Sequence, residues 1–260
     1  MNSEVEKVIS NMKIIGLVNV QLAYVNNKVY LLEVNPRASR TIPFVSKALG
    51  VPLARVAAKV MAGKSLKDLK FQNVPNLEGF FVKEAVMPFS KFQNVDPILG
   101  PEMRSTGEVM GIGNSFAEAF EKAEVGAGVE IPKEGSVFIS VRDTDKQFLS
   151  EIVPSLVEED FNLIATKGTA SVIKNMGFKV SQIKKVIEGR PNIVDLMKNK
   201  EVNLVINTTE GRESILDSAS IRRTALDEKI CCTTTIKGAK AICEVITKKV
   251  DWSYRKLQDM

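Results

Sequence analysis

Gln21, Glu33, Asn35, Arg37 and Arg40 are the residues whose types and spacing bear most directly on chemistry. One carboxylate, two side-chain amides and two guanidinium groups gather in a short stretch. Oxygen donors of this kind suit a hard divalent cation. Guanidinium groups suit the phosphate oxygens that such a cation bridges. Two short strands must position them. Residues 16–22 alternate in hydrophobicity, and so do residues 29–35. Period two puts Asn19 and Gln21 on one face of the first strand and Val18, Val20 and Leu22 on the other. Glu33 and Asn35 share a face of the second strand, with Pro36, Arg37 and Arg40 just beyond its end. A hairpin is expected, with the ligand set gathered at one end.

A second constellation lies in the C-terminal half. Four hydroxyl-rich turns follow the carboxyl ends of expected strands: Thr144-Asp145-Lys146, Thr166-Lys167-Gly168-Thr169, Asn207-Thr208-Thr209 and Thr233-Thr234-Thr235. In an open α/β sheet such ends line the ligand crevice. One threonine at a helix start serves equally as a cap. Four such turns on one edge point to an anion held at helix N-termini. Gly168 permits close backbone approach, and Lys146 and Lys185 add positive charge.

The elements between these clusters follow from periodicity and punctuation. Residues 2–13 read as a helix, and residues 43–61 as helical with a break near Gly50-Val51-Pro52. Residues 64–134 read as a connecting subregion packed on the first domain. It holds a strand at 80–87 and a helix at 115–124 capped by Ser115, with turns at Pro88, Pro97, Gly100, Pro101 and Gly107. From Ser136 strands and single helices alternate: strands at 137–141, 161–165, 179–181 and 203–207, helices at 145–159, 170–176 and 192–200, then helix, strand and helix to about Lys249. Pro154 falls inside one of these helices. The alternation argues for a parallel sheet wrapped on both faces. The domain expectation is therefore 1–63, 64–134 and 135–260.

Composition narrows the classes. The 260 residues are 44% hydrophobic and 26% charged, with a net charge of +5, as in ordinary globular proteins. No dense Lys/Arg run is interleaved with aromatics, which argues against nucleic acid. Histidine is absent, which removes the commonest general base and any His-ligated zinc. Cys231, Cys232 and Cys243 form no CxxC pair and read as small apolar packing residues in a reducing compartment. There is no signal-peptide h-region, and the early uncharged run 14–27 is too short and polar to span a bilayer. A cytoplasmic protein is expected, with no membrane contact. Two motifs are decoys: Ala62-Gly63-Lys64-Ser65 lacks the first glycine of a P-loop, and Gly111-Ile112-Gly113 is half a dinucleotide fingerprint, expected in a loop or helix end.

Glu33-Val34-Asn35-Pro36-Arg37 resembles the closing metal-binding motif of the ATP-grasp ligases. The longer run 33–61, with Arg40-Thr41-Ile42-Pro43-Phe44-Val45-Ser46-Lys47, is similar to the carbamoyl-phosphate synthase large-chain family, and the likeness continues through residues 100–108 to the last helix. It concerns only the C-terminal part of that family's chain. The implied architecture is α/β: the C-terminal part of an ATP-grasp fold, followed by a Rossmann-like, parallel-sheet, methylglyoxal-synthase-like domain. Carried over, the resemblance makes Gln21, Glu33 and Asn35 ligands of Mg²⁺ or Mn²⁺. Arg37 and Arg40 become catalytic holders of phosphoryl oxygens, with ATP as substrate. The reaction implied is phosphorylation of carbamate to carbamoyl phosphate, in arginine and pyrimidine biosynthesis.

The same resemblance places an effector pocket on Lys146, Thr166, Thr169, Lys185, Asn207, Thr208 and Thr209, with Ser140, Gly168, Thr234 and Thr235 close by. Its ligands in the family are the nucleotides UMP or IMP, while ornithine acts from a separate site near the domain junction. Lys167 stands where bacterial relatives often have histidine. The adenine pocket, the glycine-rich phosphate cover and the first ATP site would precede Met1, so an isolated chain is expected to be inactive. Its partners would be the N-terminal remainder of the large chain and a glutamine amidotransferase small subunit. Two alternatives stand beside this reading. One is a nucleotide-sensing module without catalytic role. The other is a triose-phosphate lyase, which the absence of histidine disfavours.

Overall fold

The computed structural model of the chain describes residues 2–71, 77–89, 97–99, 102–252, 254 and 256. Gly100 and Pro101, cited above as turn signals, lie outside them. Two compact units result: Met1–Glu78 with Tyr254–Met260, and Gly79–Ser253.

The first unit contains α1 (Asn2–Asn11), β1 (Asn19–Val25), β2 (Lys28–Asn35), α2 (Thr41–Leu49) and α3 (Leu53–Met61). Asn26 and Asn27 join the strands with φ of 49° and 63°, the left-handed pair that a tight hairpin turn requires. Pairing sets Asn19 opposite Asn35 and Gln21 opposite Glu33. The register then shifts: Leu22 faces Leu31, and Leu32 has no opposite residue. This bulge interrupts the simple alternation expected of both strands. Gly50 closes α2 in the left-handed region, φ 64°, with its N–H donating to the Lys47 and Ser46 carbonyls, which produces the expected break between helices. Among the described residues of this unit, Ala57 is the one buried hydrophobic side chain, while Tyr24, Tyr30, Leu31 and Leu32 stand exposed.

The second unit opens with β3 (Phe80–Val86) paired antiparallel with β4 (Gly107–Gly113) and covered by α4 (Phe116–Gly126). Ser115 caps α4 as expected, its Oγ accepting from Glu118 N at 3.2 Å. Two expectations are corrected here. Gly107 and Gly111-Ile112-Gly113 are neither turn nor loop but strand β4. A Cβ on Gly111 would lie 1.8 Å from the Ala119 carbonyl oxygen, and one on Gly113 2.7 Å from Ala119 N. The glycines let α4 rest directly on the strand; they do not punctuate it. Residues 79–134 also group with the second unit, not the first, because Ala117 and Phe120 on α4 pack into the core beneath the parallel sheet.

That sheet is built from β5 (Ser136–Ser140), β6 (Asn162–Thr166), β7 (Ser181–Ile183), β8 (Leu204–Asn207) and β9 (Cys231–Thr233), all parallel in the order β7-β6-β5-β8-β9. Helices α5 (Leu149–Glu158), α6 (Lys167–Asn175), α7 (Ile193–Lys198), α8 (Arg212–Asp217) and α9 (Ala219–Asp227) make the crossovers, and α10 (Ile236–Lys248) follows the last strand. Period two divides the strand side chains between two cores. Val137, Ile139, Leu204 and Ile206 face α5, α6 and α10, whereas Phe138 and Val205 face α7 and α9. The helix expected over 145–159 is a 3-10 segment, Asp143–Phe148, followed by α5, which retains Pro154 in its interior.

The glycine contacts yield a stability prediction. Gly111→Ala drives a methyl group into helix backbone, so chemical denaturation should show a loss of about 3 kcal/mol or more. Gly107→Ala meets only Val86 Cβ at 3.9 Å and should stay within about 0.5 kcal/mol of the parent.

Candidate functional site

The parallel sheet reverses its winding at β5, whose neighbours are β6 on one side and β8 on the other. The carboxyl ends of these three strands surround a cavity of about 470 Å³. Its lining includes Ser140, Arg142, Lys146, Thr166, Gly168, Thr169, Lys185, Asn207, Thr208 and Thr209. Thr166, Thr169, Asn207 and Thr208 are buried. Eight residues separate Ser140 from the first residue of α5, whereas Thr166 leads directly into α6, and Lys167 already belongs to that helix. Thr166 is the N-cap of α6 yet makes no side-chain capping bond. The first amide groups of α6 are left without a side-chain acceptor from this cap, as at anion-binding helix ends.

The hydroxyls are oriented by what they accept. Val141 N donates to Thr169 Oγ1 at 3.3 Å, and Arg142 N donates to Thr208 Oγ1 at 3.1 Å. Each hydroxyl hydrogen remains to be donated elsewhere. Ser140 Oγ and Thr166 Oγ1 share a hydrogen bond of 3.2 Å. Asn207 is 1% exposed, and its Nδ2 has no hydrogen-bond partner among the described residues. An unmet buried donor costs about 1–3 kcal/mol, so this amide marks the place of an acceptor.

Charge follows the same pattern. A Cβ on Gly168 would touch Lys146 Nζ at 3.2 Å, so this ammonium lies against the start of α6. A cation beside the positive end of a helix is unfavourable unless an anion joins them. Lys146 is tethered to Asp143 at 2.6 Å, but the Asp143 side chain is 92% exposed, and so solvated a counter-ion is easily replaced. The hydrogen bond from Lys146, then its charge, holds the Asp143 carboxyl below the ordinary carboxylate range, with Lys185 adding to the effect. Arg142 is fixed by Asp145 at 2.8 Å and reaches Glu210 at 3.8 Å.

The structure brings Lys146, Thr166, Gly168, Thr169, Lys185, Asn207, Thr208 and Thr209 together around one cavity. It does not bring Thr234 and Thr235 there. Neither lines the cavity, and Thr235 caps α10 by accepting from Gly238 N at 3.1 Å. The reason is topological: β9 is the sheet edge, one strand beyond β8. Arg142, Ser214, Ser218 and an apolar wall of Val186, Ile187, Ile193 and Ile221 were not singled out in the sequence but line the cavity. Arg142 carried a usable signal, a cation just past a strand end.

In the first unit, the register puts Gln21 across from Glu33, with Asn35 two positions on along the same strand face. Asn35 Nδ2 donates to Glu33 Oε1. The Asn35 amide oxygen, the second Glu33 oxygen and the Gln21 amide oxygen remain as donors. Among the described residues no group of three or more His, Cys, Asp or Glu side chains gathers. A single carboxylate with neutral oxygens fits Mg²⁺ or Mn²⁺ that is held jointly with substrate phosphates. Arg37 is exposed and donates to the Ala38 carbonyl. Arg40 is the N-cap residue of α2 and is also exposed.

Comparison with known proteins agrees with both halves. The family model described as carbamoyl-phosphate synthase L chain, ATP binding domain, matches residues 1–69, and the MGS-like domain model matches residues 149–234. The carbamoyl phosphate synthase large chain of Pseudomonas syringae is 54% identical over 262 residues, covering 100% of this chain and 24% of its own length. That of Pseudomonas putida is 55% identical over 259 residues, covering 99% of this chain and 24% of its own. A methylglyoxal synthase structure from Elizabethkingia anophelis aligns with 44% of this chain and 79% of its own at a TM-score of 0.37 and 17% identity. The chain thus spans about a quarter of the length of the curated relatives it matches. With more than half its residues identical across its whole length, and an ATP-binding domain followed by an MGS-like one, it belongs to the carbamoyl phosphate synthase large-chain family and corresponds to the C-terminal part.

Proposed function

We propose that this chain joins part of a phosphoryl-transfer site to a sensor for nucleoside monophosphates. The observation that carries the reading is the crevice at the carboxyl ends of β5, β6 and β8. There the start of α6, Lys146, the Thr169 and Thr208 hydroxyls and the unmet Asn207 amide converge. A phosphate on the α6 start takes the hydroxyl and ammonium donors. A base lies along Val186, Ile187, Ile193 and Ile221. UMP and IMP are the effectors of this reading, and ornithine acts elsewhere.

The catalytic half phosphorylates carbamate with ATP. Glu33, Asn35 and Gln21 would hold a metal ion, which would supply charge neutralisation there. Arg37 and Arg40 hold the transferring phosphoryl oxygens, a step governed by positioning and charge. The hairpin that presents these groups leaves Tyr24, Tyr30, Leu31 and Leu32 exposed over a unit with almost no buried apolar side chain. An isolated two-stranded sheet is marginal in water. Both facts support completion of this unit by the N-terminal remainder of a large chain, joined in turn to a glutamine amidotransferase small subunit. Three free cysteines suit the cytoplasm as its compartment. Among the described residues no helix is long and apolar enough to cross a membrane.

Two measurements test the reading. In calorimetric titration the chain should bind UMP or IMP. Thr169→Ala and Lys146→Met should each weaken that binding about 10- to 100-fold, the worth of a hydrogen bond to a charged group. No heat from either nucleotide, or unaltered affinity in both variants, overturns the sensor. Once the chain is combined with the missing region, Glu33→Gln should lower carbamoyl phosphate synthesis by about 100-fold or more. Thr169→Ala should change only the effector response. Robust synthesis by the purified chain alone would refute the shared site.

A further inference from the structure

Asp143 and Lys146 both lie in the 3-10 segment that follows β5, Asp143–Phe148. In a 3-10 turn, residues i and i+3 stand one above the other. The Asp143 carboxylate accordingly meets the Lys146 ammonium at 2.6 Å. The two side chains differ in setting. Lys146 is 26% exposed and reaches across to the start of α6, where its Nζ would lie 3.2 Å from a Cβ on Gly168. Asp143 is almost fully solvated, on the lining of the same cavity. The first turn of α6 holds no acidic residue, and Thr166 makes no capping bond to it. The anion paired with the ammonium at that helix start is therefore Asp143. We propose that Asp143 is a built-in competitor: its carboxylate holds the ammonium that a bound phosphate takes, so ligand binding is an exchange of one anion for the other. The inference rests on the sensor reading above and adds how the affinity of that site is set.

Local geometry lets the carboxylate compete. It sits on the same short segment as its partner, so its effective concentration at Lys146 is high. Hydrogen bonding from Lys146, then its charge, with Lys185 adding, holds the Asp143 carboxyl below the ordinary carboxylate range. It stays ionised near neutral pH and competes throughout. Yet it serves the ammonium alone. The Asn207 amide is still without a partner, and the Thr169 and Thr208 hydroxyls still have a hydrogen to donate. A phosphate monoester brings several terminal oxygens and engages the ammonium and the helix amides together. A simple carboxylate would replace Asp143 with its own equivalent and gain little. The exchange thus favours phosphate esters over small organic acids.

The other carboxylates near the crevice do not share this role. Asp145 is buried against Arg142 at 2.8 Å. Glu210 lines the cavity but faces Arg142 at 3.8 Å. Among the described residues, the ion pair of Lys146 is the one with Asp143.

Asp143→Asn keeps the shape of the side chain and removes its charge. In calorimetric titration the variant should bind UMP or IMP about 3- to 5-fold more tightly than the wild-type chain, the upper part of the range for exposed ion pairs. Two comparisons separate exchange from plain charge repulsion. Glu210→Gln removes a charge from the same cavity and leaves the Lys146 pair intact; at about 0.15 M salt it should keep the affinity within about 1.5-fold of wild type, because solvated charges are screened. In a Lys146→Met background there is no ammonium to compete for, and the gain from Asp143→Asn should vanish. No gain in Asp143→Asn, an equal gain in Glu210→Gln, or a gain that persists beside Lys146→Met overturns the exchange, while a wild-type chain that binds the nucleotide remains a sensor. Absence of heat from both nucleotides with the wild-type chain and with Asp143→Asn removes the sensor reading and the exchange together.

Discussion

The turn that follows β5 is gripped from both sides, and the arrangement of the crevice depends on that grip. Thr169, at the start of α6, accepts from Val141 N. Thr208, past β8, accepts from Arg142 N, while Thr208 N donates to the Ser140 carbonyl at 3.0 Å. Only a strand with parallel neighbours on both sides can have its exit held in this way. Each such bond is worth about 1 kcal/mol net, which is modest. Their larger effect is orientation, because each threonine oxygen that accepts from the backbone still has its hydrogen to donate. The strands beneath are fully buried at Val137, Ile139, Leu204 and Ile206. Rigid packing of that kind holds functional donors in place.

The strands and helices of the second unit were legible because apolar runs such as Val137-Phe138-Ile139 and Leu204-Val205-Ile206 are bounded by polar turns. Most of the crevice was legible for a related reason, since a threonine turn after a parallel strand falls on the ligand edge. Thr235 shows the limit of that inference. A threonine turn after an edge strand reads the same as one after a central strand, and sheet order is set by long-range pairing. Gly111 and Gly113 show a second limit. Local rules read glycine as a break, but these glycines answer to a helix that arrives several residues later. The unopposed Leu32 in β2 is a third case, because period two carries no sign of where a bulge resets it.

In the first unit, the proposed ligands and the exposed apolar side chains belong to one hairpin. The hairpin aligns Gln21, Glu33 and Asn35 by register alone, without a core behind them. A set with one carboxylate binds a divalent cation weakly unless phosphate oxygens share it. The same hairpin displays Tyr24, Tyr30, Leu31 and Leu32 to solvent. In the proposed assembly, one docking event buries the apolar face and brings the phosphates to the ligands. In that reading, a metal site completed by its substrate and a hairpin covered by a partner region are two aspects of one geometry.

The protonation states in the crevice decide between binding and proton transfer. A general base works best with a pKa near the working pH. The chain has no histidine. Asp143 is held below the ordinary range by Lys146, and Asp145 is buried against Arg142. Among the described residues, the carboxyl raised to about 7 is that of Glu124, which does not line the cavity. What the crevice offers is mainly donors, ammonium, hydroxyl, amide and helix amide groups, beside the solvated carboxylates of Asp143 and Glu210. Donors of this kind suit an anion such as phosphate in its charged form. In the proposed reading, the crevice recognises the anion and leaves it unchanged.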